Sequence, residues 1–133
     1  MATLVDSSVI IDLAVDDPVW ASWSRNALLA RRQLGLLIIN PIIYAEIMAA
    51  ADLDGRPPPP RHFERVDLDW ESARLAGRAH AQYRRRGGAR EAILADFLIG
   101  AHAAVAGYAL LTRDPRRIRA AFPGVELITP GAA

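Results

Sequence analysis

Thr3-Leu4-Val5-Asp6-Ser7-Ser8-Val9-Ile10-Ile11 opens the chain with an apolar run, a carboxylate, two hydroxyls and a second apolar run. Thr3 to Val5 is short and β-prone, which predicts a buried strand ending at Asp6. Ser7 and Ser8 are helix-capping residue types, so a short helix is expected through Leu13. A buried strand feeding directly into a helix is the opening of an α/β fold.

The rest of the chain repeats the alternation. Asp17-Pro18 pairs an N-cap with a first-turn proline and predicts a second helix carrying Trp20 and Trp23 on one face. Leu36-Leu37-Ile38-Ile39 reads as a strand buried on both sides. Asn40-Pro41 repeats the cap-plus-proline signal before a helix that contains Glu46. Gly55-Arg56 and Pro57 to Pro60 break that helix and form a stiff connection within one domain. Phe63 to Leu68 is a candidate strand, and Asp69 caps a helix to about Arg86, closed by Gly87-Gly88. A further helix from about Arg90 to Ala106 contains Asp96. Ala109 to Thr112 is strand-like, Pro115 to Phe122 a short basic helix, and Val125 to Ile128 a last strand. Such alternation implies a mainly parallel sheet covered on both faces, residues 1–133 forming a single domain.

Four acids stand where apolar or neutral residues are expected. Asp6 ends the first strand, and Asp114 follows Ala109-Leu110-Leu111-Thr112 after one arginine. Glu46 interrupts an apolar helix, with Ile42, Ile43, Ala49 and Ala50 at helical i±3 and i±4 spacing. Asp96 has Ala92, Ile93, Ile99 and Gly100 in the same relation. Strand ends in parallel folds are where ligands bind, so the four are expected to meet there. Two carboxylates at 4 Å repel by about 4 kcal/mol at an effective dielectric of 20. Either some protonate or a cation holds them. Oxygen-only ligands favour a hard divalent ion, Mg²⁺ or Mn²⁺, and metal-assisted hydrolysis of a phosphodiester is the reaction class that follows. Residue by residue, another reading stands beside this one: each acid as an ion-pair partner of an arginine, with Asp6 and Asp114 as plain helix caps.

Composition excludes several other chemistries. There is no cysteine, hence no disulfide or thiolate chemistry. All 16 basic residues are arginine, so a lysine-dependent phosphoacceptor site or phosphate loop cannot operate. Ser8 occupies the position where a haloacid-dehalogenase-type phosphatase needs a second acid. The net charge of +1 announces no global field for nucleic acid. Without a basic N-terminal region or an apolar stretch of roughly 20 residues, neither a secretory signal nor a membrane span is expected, which suggests a cytoplasmic protein.

Four short pieces carry a resemblance: Leu4-Val5-Asp6-Ser7-Ser8-Val9, Tyr44-Ala45-Glu46-Ile47, Ala95-Asp96-Phe97-Leu98-Ile99-Gly100-Ala101 and Leu111-Thr112-Arg113-Asp114. In this order they resemble PIN-domain nucleases, in particular the VapC-type ribonuclease toxins of toxin–antitoxin systems. The resemblance implies a three-layer α/β/α sandwich with Asp6, Glu46, Asp96 and Asp114 as a catalytic quartet. It also implies Asp6, Asp96 and Asp114 as ligands of Mg²⁺ or Mn²⁺, and Glu46 as the residue that helps place a water or a second ion. Ser8 and Thr112 match hydroxyl positions that line such sites. An RNA substrate, a cognate small antitoxin protein, a homodimer and toxin–antitoxin hetero-oligomers are implied as well. The chain departs from the family pattern in the short proline-rich stretch from Asp52 to His62, and in Ile118, where an aromatic often stands. Alternative readings are a PIN-fold RNA-processing nuclease without an antitoxin, and an inactive binding module of the same fold.

Arginines cluster in the second half: Arg84 to Arg86, Arg90, Arg113, Arg116, Arg117 and Arg119. They either track an RNA backbone, with Arg113 and Arg116 favoured because they flank Asp114, or complement a helix end and solvate the surface. Trp20 and Trp23 belong either to the core or to a groove for an antitoxin peptide. His62, His80 and His102 show no mutual ligand spacing and are read as non-catalytic.

Overall fold

A computed structural model describes residues 1–54, 62–88 and 94–131, the side chains of 52–54 and 117 excepted. Its elements are β1 (Thr3–Val5), α1 (Ser7–Ala14), α2 (Ala21–Leu34), β2 (Leu37–Ile39), α3 (Pro41–Asp54), β3 (Glu64–Arg65), α4 (Trp70–Arg85), α5 (Leu94–Ala106), β4 (Ala109–Leu111), α6 (Arg116–Ala121) and β5 (Leu127–Ile128). The strands form one sheet in the order β3-β2-β1-β4-β5. Every pairing is parallel, so the sheet expected to be mainly parallel is wholly so among the described strands.

A parallel sheet has to be covered on both faces, and every residue of β1, β2 and β4 is buried. That is why these strands read as unbroken apolar runs and not as alternating ones. Helix α1 packs on α2 and α3, while α4 lies along α5, which also meets α6. The grouping follows from the strand order. From β1 the chain steps outward to β2 and β3, returns to β4 on the other side of β1, and steps on to β5. Right-handed crossovers place the helices of opposite steps on opposite faces, which makes an α/β/α sandwich. The reversal falls between β1 and β4, and their carboxyl ends frame a natural crevice.

Local signals account for most boundaries. Asn40 accepts from the Ile43 amide at 2.9 Å and Asp69 from the Ser72 amide at 2.7 Å, so both cap their helices. Gly107, at φ 75°, supplies the left-handed turn that stops α5. Asp17-Pro18 behaves differently from its reading as a helix start. Asp17 Oδ1 accepts from Val19 N at 2.8 Å and Trp20 N at 2.9 Å, closing a turn, and the helix begins only at Ala21. Trp20 therefore precedes α2 and does not share its face with Trp23, which packs against the core. The candidate strand at 63–68 shortens to Glu64–Arg65, both exposed at the sheet edge, where a short charged strand discourages further pairing. The proline run at 57–60, Arg90 and the expected start of the Asp96 helix lie outside the described residues. Among those described, no helix is long and apolar enough to cross a membrane.

Gly100 shows how tightly the second helix layer is packed. A Cβ there would stand 2.6 Å from Phe122 Cδ2 and 3.3 Å from Ile118 Cγ2, so the missing side chain lets α6 seat on α5. Gly100→Ala is expected to destabilise by about 1–2 kcal/mol, the overpacking exceeding the gain in helix propensity. The urea midpoint should fall; a raised midpoint would mean that Phe122 moves aside freely.

Candidate active site

Asp6 stands where β1 gives way to α1, at φ −65° and ψ 149°, and caps that helix. Its own amide donates to Leu111 O of β4 at 2.9 Å. Three donors converge on its carboxylate: Ser7 N at 2.8 Å on Oδ1, and Ser8 Oγ at 3.1 Å and Thr112 Oγ1 at 2.8 Å on Oδ2. Thr112 Oγ1 in turn accepts from the Asp114 amide at 3.2 Å. Capping and site-lining are thus the same contacts. Ser8 and Thr112, singled out as candidate site-lining hydroxyls, both bond the first acid of the quartet.

Glu46 comes to the same place from α3. It is half-buried, and its Oε1 accepts from Ser7 Oγ at 3.0 Å. Burial pushes the Asp6 carboxyl above its ordinary range; Thr112, Ser8 and the Ser7 amide pull it back, and Asp96 pushes it up again. Burial likewise raises Glu46, which Ser7 lowers and the charges of Asp6 and Asp96 raise. Asp6, Glu46 and Asp96 therefore lie within one another's field, although they are distant in sequence. Among the described residues no arginine pairs with Asp6 or Glu46, so the ion-pair reading does not hold for those two.

Asp114 is placed differently. Its side chain is 65% exposed and accepts from Arg116 Nε at 3.3 Å. It does not cap α6 either, since Pro115 holds the N-cap position without a side-chain bond. Its amide on Thr112 ties Asp114 to Asp6, while its carboxylate is exposed at the rim.

Among the described residues, no three His, Cys, Asp or Glu side chains are gathered closely enough to enclose a metal ion. The donor set nonetheless suits a hard divalent cation. It offers carboxylate oxygens, two of them destabilised as anions and held by hydroxyls that leave lone pairs free.

Arg113 turns inward. Its Nε lies 2.8 Å from Asp12 Oδ2, and its guanidinium carbon sits 5.3 Å from the centre of the Trp20 ring. Ser24 Oγ donates to the same Asp12 oxygen at 2.9 Å. Side-chain exposure separates the two arginines expected to contact RNA: 29% for Arg113 against 87% for Arg116. In the sequence Ser7 reads as a helix-capping residue but not as a site residue, and Asp12 and Ser24 do not read as functional, yet Asp12 carries the same signal as Glu46, an acid inside the apolar run Val9-Ile10-Ile11-Asp12-Leu13. The buried His102 is spent on Asn40, with Nδ1 and Nδ2 3.0 Å apart, and the His80 ring lies 5.2 Å from that of Phe97, tilted by 60°.

Comparison with known proteins agrees with the fold. The PIN domain family matches residues 3–123, and the chain belongs to that family. Its fold is similar to a chain of VapBC2 from Rickettsia felis bound to a promoter DNA fragment, at TM-score 0.71 and 15% identity, covering 97% of this chain and 98% of that one. A toxin-antitoxin complex from Klebsiella pneumoniae gives TM-score 0.71 and 23% identity, with 96% and 97% covered. FitAcB from Neisseria gonorrhoeae gives 0.64 and 18%, with 98% and 99% covered. No curated protein matches the chain by sequence.

The raised carboxyls have a consequence for stability. The folded chain holds the protons of Asp6 and Glu46 more tightly than the unfolded one, whose values are near 3.8 and 4.5. Stability contributed by the protonated forms is therefore lost as pH rises from those values through the higher folded ones. Glu46→Gln, which keeps an acceptor for Ser7, should raise the melting temperature at pH 7 and lose that advantage below about pH 3.5. Melting curves across pH check this, and an equal gain at both ends would contradict it.

Proposed function

We propose that this chain is a Mg²⁺- or Mn²⁺-dependent endoribonuclease acting as the toxin of a toxin–antitoxin pair in the cytoplasm. One observation carries the reading: burial and mutual repulsion disfavour charge on Asp6 and Glu46, and hydroxyls rather than guanidinium groups hold them. Membership of the PIN family supports a nuclease, and solved structures of similar fold described as toxin–antitoxin complexes support the biological role.

In this reading Asp6 and Asp96 hold the divalent ion, with Asp114 approaching from the rim. The bound ion supplies Lewis acidity and offsets the charge that develops on the phosphodiester. Ser7, Ser8 and Thr112 fix the carboxylates of Asp6 and Glu46 before substrate arrives, which limits reorganisation during reaction. Glu46 Oε1 is bonded to Ser7, leaving Oε2 to take a proton from an attacking water, a role that its raised pKa suits. Arg116, on the rim, meets backbone phosphate.

The antitoxin has a fitting surface. Ile10, Leu13, Leu28, Leu29, Leu37 and Phe63 line an apolar cleft edged by Arg32 and His62, suited to an apolar segment of a small partner. A homodimer that binds antitoxin as a hetero-oligomer is the assembly that accompanies this role.

Asp96→Asn is expected to lower RNA cleavage by about 100-fold or more, and chelation of divalent ions should abolish it. Gel analysis of total RNA checks both, and activity indifferent to both changes removes the metal-nuclease reading. Arg116→Ala should weaken RNA binding a few-fold and reduce the salt slope by about one, with turnover at saturation unchanged. Titrations at several salt concentrations measure it; an unchanged slope would place Arg116 off the RNA path.

A further inference from the structure

We propose that Asp12 is a positioning residue, whose buried pairing with Arg113 holds the segment between β4 and α6 so that Thr112 reaches Asp6 and Asp114 stands at the rim of the same site. The inference rests on the nuclease reading for its function, but its geometry stands apart from it. Asp12 is 1% exposed and Ser24 is fully covered, at 0%. A carboxylate so placed needs partners, and it has two: a hydrogen bond from Ser24 Oγ at 2.9 Å and an ion pair with Arg113, whose Nε lies 2.8 Å away without being aimed as a hydrogen-bond donor. Trp20 closes the outer side of the same guanidinium.

Arg113 lies between the two residues that matter at the site. Thr112 donates to Asp6, and the Asp114 amide donates to Thr112. Asp12 belongs to α1, the helix that Asp6 caps, so one rigid element grips the segment twice: near its start through Asp6 and Thr112, and further along through Asp12 and Arg113. A single attachment fixes position and leaves rotation free; two fix the direction in which the Asp114 side chain leaves the backbone. Arg113 is a clamp on the loop, which explains why it faces inward beside an outward Arg116.

The test compares wild type with Asp12→Asn, which keeps an acceptor for Ser24 and removes the charge. Val125→Ala, a core change remote from the clamp, serves as the reference for an ordinary loss of stability. In Asp12→Asn the amides of Arg113, Asp114 and Arg116 should exchange with deuterium about tenfold faster, kcat on an RNA fragment should fall about 10- to 100-fold, and KM should change less than twofold. Calorimetric titration with Mn²⁺ should show weaker binding. Val125→Ala should lower the melting temperature without moving any of these. If Asp12→Asn does not fold, Trp20→Leu loosens the clamp from outside without stranding a charge and should give the same signs. Unchanged exchange and kcat, or a KM increase alone, overturns the proposal, the latter making Arg113 an RNA contact. A wild type that cleaves no RNA with either ion defeats the nuclease reading instead, and the exchange rates then still decide whether the clamp exists.

Discussion

The hydrogen bond from Thr112 Oγ1 to Asp6 Oδ2 crosses the point where the sheet reverses direction, and much else depends on that crossing. The backbone pairing of β1 with β4 brings the two residues side by side, with the Asp6 amide already on Leu111 O. β1 is the central strand, and at its carboxyl end the tie to β4 and the start of α1 have to be satisfied together. The chain solves this by letting one carboxylate serve three donors, two of them at the start of the next helix. A helix cap, a strand-to-strand tie and the first member of an acidic site are one set of bonds.

That economy carries a strain that the rest of the fold absorbs. Burial and the neighbouring acids raise the pKa of both Asp6 and Glu46, so charge on either costs more than it would in water. The apolar layers beneath them, with Leu4, Val5, Ile43, Leu110 and Leu111 wholly enclosed, supply the rigidity that keeps them from separating.

The fold was legible because a parallel sheet buried on both sides writes itself as apolar runs, and Leu4-Val5, Leu37-Ile38-Ile39 and Ala109-Leu110-Leu111 are such runs. Cap-plus-proline at Asn40-Pro41 succeeded, whereas the same pair at Asp17-Pro18 made a closed turn, because both Val19 and Trp20 could donate to one Asp17 oxygen. Asp6, Glu46 and Asp96 were legible as anomalies against apolar surroundings. Arg113 was not, since its direction is decided by Asp12, Ser24 and Trp20, residues far away in the sequence. Sequence adjacency to Asp114 suggested an outward role that the buried acid overrides.

Asp6 and Asp12 sharpen the distinction between a structural and a reactive carboxylate. Asp6 caps α1 and Asp12 lies within it, and burial is the first cause of a raised pKa in both. Asp12 receives a guanidinium, and Arg113 pulls its titration back down. Among the described residues, Asp6 receives only neutral donors, with a negative neighbour in Asp96. Burial alone therefore does not mark a functional acid. What distinguishes the two is charge: among the described residues Asp12 has an arginine beside it and Asp6 does not.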